Sequence, residues 1–224
     1  MPTKREEEEK KFAQALAKLQ RNQMARLIEY MGDPPRVENV PQSYWDEIGK
    51  ELAQTIAPFL ERSYLTSAST LMAELPVGVD WTLVNERAMT WAGKYAFDLV
   101  NKKKGGIVAS TREGLQTAIS EYFRQGWTRQ ELIDHLEPFF GPVRAEMIAV
   151  TEITRAASAS DTVIAEELAK SGIEMVEIWE TLNDELVCPI CGPRDGKERG
   201  DGWEEPPPAH PRCRCRRRLE LPRP

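Results

Sequence analysis

The side chains best suited to chemistry stand together near the C-terminus, in the stretch VCPICGPRDGKERGDGWEEPPPAHPRCRC. It holds all four cysteines of the 224-residue chain, Cys188, Cys191, Cys213 and Cys215, and one of its two histidines, His210. Two residues separate Cys188 from Cys191, a spacing that turns both sulfurs toward one point and is common in zinc knuckles. Cys213 and Cys215 are two apart, and in an extended strand such residues share a face. A tetrahedral ion takes four of these five donors, so His210 is either a ligand in place of a cysteine or a donor to a bound thiolate. Disulfides between the two pairs are a second chemistry, suited to an oxidising medium. Unpaired or redox-active thiols are a third; a redox CxxC opens a helix in a βαβ setting, and Pro193 argues against a helix directly after Cys191.

A catalytic metal is a further alternative. His135-Leu136-Glu137 followed by Cys188-x-x-Cys191 superficially matches the HxE…PCxxC pattern of zinc deaminases, in which the glutamate moves protons to and from a metal-bound water. Val187 stands where proline is expected, and His135 falls inside a short capped helix, so a surface histidine is the simpler account. Two histidines leave little material for a Ser-His-Asp arrangement, and no glycine-rich phosphate loop occurs. The expected protein is not an enzyme and has no small-molecule substrate.

The elements that must position the cluster are mostly helical in pattern. Phe12, Leu16, Leu19, Met24, Leu27 and Met31 recur at helical spacing, with Glu6 and Lys10 four apart on the polar side. This helix packs on its own chain or, given the polar GDPPRVENVPQ after it, serves as an arm for a partner. Ser43 with Asp46 predicts a cap for a helix from Tyr44 to Leu75, kinked or broken at Pro58. Another helix is expected from about Thr82 to Lys103, ended by KKKGG. Capping boxes are expected at Ser110/Glu113 and Thr128/Glu131. Gly141-Pro142 separates the second of these helices from a long one that Gly172 closes. The pattern then changes, and IEMVEIWETL predicts a strand that can pair with CRCRRRLEL.

The fold expected is mainly α, with long helices in the body and a small C-terminal α+β module closed by the Cys/His cluster. Its expected divisions are an amphipathic helical arm (1–31), a linker (32–42), a helical body (43–109), a C-terminal domain (110–221) whose Cys-rich β module spans 173–221, and a tail (222–224). No apolar run is long enough to cross a bilayer, and MPTKREEEEKK lacks the apolar centre of a signal peptide, so synthesis in a cytoplasm without a membrane anchor is expected. The net charge of −6 hides an asymmetry, because Arg212, Arg214, Arg216, Arg217, Arg218 and Arg223 crowd the end of the chain. Such a run can meet DNA phosphates or an acidic partner, or be a salt-bridged end.

Residues about 110 to 221 resemble the phage minor head proteins typified by Mu protein F and the gene 7 protein of phage SPP1. Thr151 and Glu152 match the Thr-Glu dipeptide of that family's long helix. IWETLNDELVCPICGPRDGK is similar to its strand, acidic turn, CPxC knuckle and Asp-Gly pair, with Trp179, Asp184, Cys188, Cys191, Asp195 and Gly196 in those places. PPPAHPRCRC resembles its closing Pro-Pro…His-Pro-x-Cys-Arg-Cys signature. Where the family often has arginine before Thr-Glu this chain has Val150, with Arg155 as a candidate replacement. The resemblance implies a virion component at the portal vertex, inside the head after assembly in the host cytoplasm. It implies the portal protein as partner, with the major capsid protein and packaged double-stranded DNA as further candidates, a role in DNA retention or ejection, and no catalysis. A zinc-ribbon adaptor that binds nucleic acid without a virion role is the rival expectation.

Overall fold

A computed structural model describes residues 3–75 and 80–222 of the chain. Arg223 and the end of the expected tail lie outside them. The described residues form α1 (Lys4–Met31), α2 (Gln42–Glu74), α3 (Trp81–Asn101), α4 (Ile107–Gln125), α5 (Arg129–Phe140) and α6 (Pro142–Lys170), followed by β1 (Val176–Glu180) and β2 (Arg216–Glu220). The mainly helical fold with a small C-terminal sheet is the one the sequence predicts.

Two compact units divide the chain, Met1–Pro58 with Gly93–Glu146 and Phe59–Ala92 with Met147–Pro224. In the first, Leu27 and Met31 of α1 join Tyr44 and Ile48 of α2, Leu115 of α4 and Leu132, Leu136 and Phe140 of α5 in one buried apolar cluster. The N-terminal helix therefore buries the end of its apolar stripe on its own chain. Its start is a capping box, with Thr3 and Glu6 bonding each other's backbone N–H groups.

Several local signals resolve differently from expectation. α2 begins at Gln42, and the Asp46 carboxylate accepts from the Gln42 side chain at 2.8 Å, so Ser43 is inside the helix rather than its cap. α2 is continuous through Pro58. Proline removes one helical hydrogen bond, but Ile56, Leu60 and Tyr64 on either side are all 0% exposed, and their burial outweighs that loss. At α4 the N-cap is Gly106, not Ser110. Buried Ile107 and Thr111 draw the helix start back by a turn, and the Ser110 hydroxyl bonds the Gly106 carbonyl at 2.9 Å from within it. The Thr128/Glu131 box forms as predicted.

In the second unit β1 and β2 pair antiparallel, with Trp179 opposite Arg217, Ile178 opposite Arg218 and Glu180 opposite Arg216. The segment after the Asp195-Gly196 turn lies along the other edge of β1, where Trp179 N–H donates to Lys197 O and Gly196 N–H to Trp179 O, each at 2.9 Å. Gly196 needs its left-handed φ of +73° for that turn, and Asp195 fixes it by accepting from the Thr181 amide at 2.7 Å and hydroxyl at 2.9 Å. Trp179 is fully buried and meets Trp203 edge to face at 5.4 Å, with the Arg194 guanidinium 5.0 Å from its ring centre. Cys191, Cys213 and Cys215 complete this small core.

A candidate metal centre

The donors are presented by two four-residue turns. In Cys188-Pro189-Ile190-Cys191 the Cys191 amide donates to the Cys188 carbonyl at 3.1 Å, and the same amide lies 3.4 Å from the Cys188 sulfur. In His210-Pro211-Arg212-Cys213 the Cys213 amide donates to the His210 carbonyl at 3.2 Å. Arg212 takes a left-handed φ of +62°, the third position of a type II turn, whereas Ile190 in the first turn does not. Long helix α6 holds this second turn from behind. Thr151 Oγ1 accepts the Arg212 N–H at 2.8 Å and donates to Met147 O at 2.6 Å, and Thr154 Oγ1 lies 2.6 Å from the Cys213 carbonyl and donates to it.

His210 Nε2 stands 3.0 Å from Cys188 Sγ and 3.3 Å from Cys191 Sγ, and Cys191 Sγ stands 3.8 Å from Cys213 Sγ. The donor atoms form two groups able to hold a metal ion, Cys188/Cys191/His210 and Cys191/Cys213/Cys215, which share Cys191. All four cysteines are free thiols. A tetrahedral ion with metal–sulfur bonds of about 2.3 Å places its sulfurs about 3.8 Å apart, the Cys191–Cys213 separation found here, whereas a disulfide needs about 2.05 Å.

Hydrogen bonds and burial set the four thiols apart in acidity. The Cys215 thiol hydrogen-bonds Cys213 and, against the effect of burial, pulls Cys213 down to about 5. That same bond and burial push Cys215 up. Burial also raises Cys191, to about 12. Burial opposes ionisation of Cys188, but the amides of Cys191 and Ile190 outweigh it and lower that thiol. Burial likewise opposes protonation of His210, and the Pro211 carbonyl with the charges on Cys213 and Cys188 raises it nonetheless.

The other residues singled out in the sequence take distinct places. Asp184 accepts the Leu186 amide at 3.0 Å and pairs with Arg214 at 2.7 Å, tying the loop before the first turn to the segment that leads from the second turn into β2. Glu152, 5% exposed, pairs with Arg155 at 3.2 Å, so Arg155 supplies a guanidinium to this carboxylate while Val150 is buried. The arginine run is not one surface. Arg216 pairs with Glu180, and Arg218 pairs with Glu220 at 2.5 Å. Arg217 is buried, pairing with Glu177 and donating to Ser158 O and Thr162 Oγ1 at 2.9 and 2.7 Å. Sequence reasoning passed over Thr154, Thr162 and Ser158, because a polar residue facing inward from an amphipathic helix declares no partner.

His135 and Glu137 take no part. His135 is exposed on α5 and stacked on Trp127 with ring centres 3.8 Å apart, its Nδ1 2.7 Å from Glu131 O. It belongs to the other compact unit, and neither metal-capable group among the described residues includes it. The superficial deaminase pattern is thereby left without a metal ligand.

Two prolyl turns, their Cys/His donors and a helix bonded to them define a compact module suited to holding a metal ion. Residues 113–218 match one family model, described as Phage Mu protein F like protein. That stretch, just under half of the chain, is similar to the Mu protein F-like family. No curated protein and no solved structure gives a match. No helix among the described residues is long and apolar enough to cross a membrane.

Proposed function

We propose that the protein is a minor component of a phage head that binds the portal protein at the portal vertex, lies inside the virion, and helps retain or eject DNA. The observation that carries this reading is the family match over 113–218, within which Thr151 and Thr154 of α6 bond the His210–Cys213 turn. Residues 110–221 act as its head domain and the N-terminal helix, 1–31, as a further contact. The role is holding and assembly, with no catalytic step.

The ion of the module is zinc, in a structural role: the donors are the thiolates and imidazole that it takes, and the Cys191–Cys213 separation fits a tetrahedral shell. A small sheet of two five-residue strands gains little stability from its own core, and a metal supplies the missing part.

A DNA contact through Arg212, Arg214, Arg216 and Arg218 is the weaker reading, because Arg214, Arg216 and Arg218 each already face a carboxylate. The deciding experiment is co-purification of the full-length chain with the portal protein of the same phage, alongside duplex DNA binding at several salt concentrations. A stable portal complex and presence in virions support the proposal. Absence from virions, or steeply salt-dependent DNA binding without a portal complex, overturns it in favour of a nucleic-acid adaptor.

A further inference from the structure

Five donors surround the site, and a tetrahedral ion takes four. We infer that the ion is held by Cys188, Cys191, His210 and Cys213, with Cys215 outside its coordination sphere as a thiol donor to Cys213. This assignment rests on the zinc reading above and goes beyond it by fixing which groups bind.

The first reason is the matched build of the two turns. Cys-Pro-Ile-Cys and His-Pro-Arg-Cys both carry proline second, and both close through a hydrogen bond from the fourth residue's amide to the first residue's carbonyl, at 3.1 and 3.2 Å. Proline presets the φ such a turn needs at that position. Each turn therefore brings the side chains of its first and fourth residues to the same side. Two such turns facing each other supply four donors, and Cys215 belongs to neither.

His210 gives the second reason. Its Nδ1 is 2.7 Å from the Pro211 carbonyl, and a carbonyl only accepts, so Nδ1 carries the proton in the neutral ring. Nε2 then presents a lone pair toward the Cys188 and Cys191 sulfurs. A ligating histidine typically has its far N–H held in this way by a carbonyl or carboxylate. A histidine that merely supported a thiolate would need a second proton, on Nε2, as an imidazolium.

The third reason is distance. Cys213 stands 3.8 Å from Cys191, as two sulfurs on one tetrahedral ion do. Cys215 hydrogen-bonds the sulfurs of both Cys213 and Cys191 and belongs to neither turn, so it is placed as a thiol donor to two bound sulfurs.

X-ray absorption at the zinc edge of the full-length, zinc-loaded protein tests the assignment. Three sulfurs at about 2.3 Å and one nitrogen at about 2.0 Å are expected. Cys215→Ser should leave that shell unchanged, with a loss of zinc affinity within the 10–100-fold typical of an outer-shell change, roughly, by chelator competition. A shell of four sulfurs, or the loss of a sulfur in Cys215→Ser, overturns the assignment while leaving zinc binding intact. Protein that takes up no zinc overturns the zinc reading and the assignment with it. Should Cys215→Ser fail to fold, the shell of the unaltered protein decides.

Discussion

The hydroxyl of Thr151 accepts the backbone N–H of Arg212 at 2.8 Å, joining the middle of α6 to the third residue of the His210–Cys213 turn. Thr151 is 8% exposed, so water is poorly placed to replace it. Thr151→Val keeps the shape but leaves that amide without its acceptor, which costs on the order of 1–3 kcal/mol. Thr151→Ser keeps the bond and should lie within about 1 kcal/mol of the original protein. Urea unfolding of the two variants checks this, and equal stabilities would show that the contact contributes nothing.

The three consecutive arginines of β2 should differ sharply. Arg217 has a side chain 1% exposed and binds Glu177, Ser158 and Thr162, so Arg217→Ala breaks a half-buried ion pair, although Glu177 keeps Arg199, and leaves buried polar groups of α6 unpaired, a loss of roughly 3–5 kcal/mol. Arg216 and Arg218 have side chains about half exposed, at 54% and 45%, and surface pairs of this kind contribute about 0–1 kcal/mol. Chemical denaturation of the three single alanine variants should rank Arg217 first by a wide margin. Similar losses at all three positions would contradict the burial pattern.

That contrast also shows what the sequence could reveal. The donors were legible because their spacing is local, two residues inside each turn, and β1 was legible from its β-branched and aromatic residues. RRR in β2 looked like one basic patch because composition carries no facing direction. Pairing in register with β1 puts Arg217 opposite Trp179 on the buried face and its two neighbours on the open one. The Ser110/Glu113 pattern was a sound local signal outweighed by burial of Ile107 and Thr111 one turn earlier. The division into two units was not legible at all, since its boundaries at Pro58, Ala92 and Glu146 each fall inside a continuous helix.

Acid and base should act on the second unit through Asp161. Its carboxylate is 6% exposed, near the Ser67 hydroxyl at 3.3 Å, and burial lifts it to about 7 even though Arg217 and Arg216 pull the other way. A folded-state value above the unfolded one, about 3.9, means that the folded protein binds more protons between the two. Stability from this group is therefore full below about pH 4 and lost as pH rises toward 7, at a limiting slope of about 1.4 kcal/mol per pH unit. Asp161→Asn should flatten the decline between about pH 4 and 7. Unfolding curves at stepped pH give the comparison, and parallel profiles for the two proteins would exclude Asp161 as the source.

Removing the metal should loosen the C-terminal module and spare most of the helices. Cys191, Cys213 and Cys215 are part of the small core around Trp179 and Trp203, so on the zinc reading proposed above the ion and that core stand or fall together. The remaining apolar contacts there are few, and a module of this size depends on its metal for folding free energy. The helices of the first unit bury their own apolar cluster around Tyr44, Leu115 and Leu136, which contains no metal donor. Strong chelation, or Cys188→Ser, should therefore red-shift the fluorescence of Trp179 and Trp203, now 0% and 4% exposed, while far-ultraviolet circular dichroism keeps most of its helical signal. Restoring zinc to the chelated protein should reverse the shift. An unchanged emission spectrum and melting curve after chelation would mean that the two turns hold together without an ion.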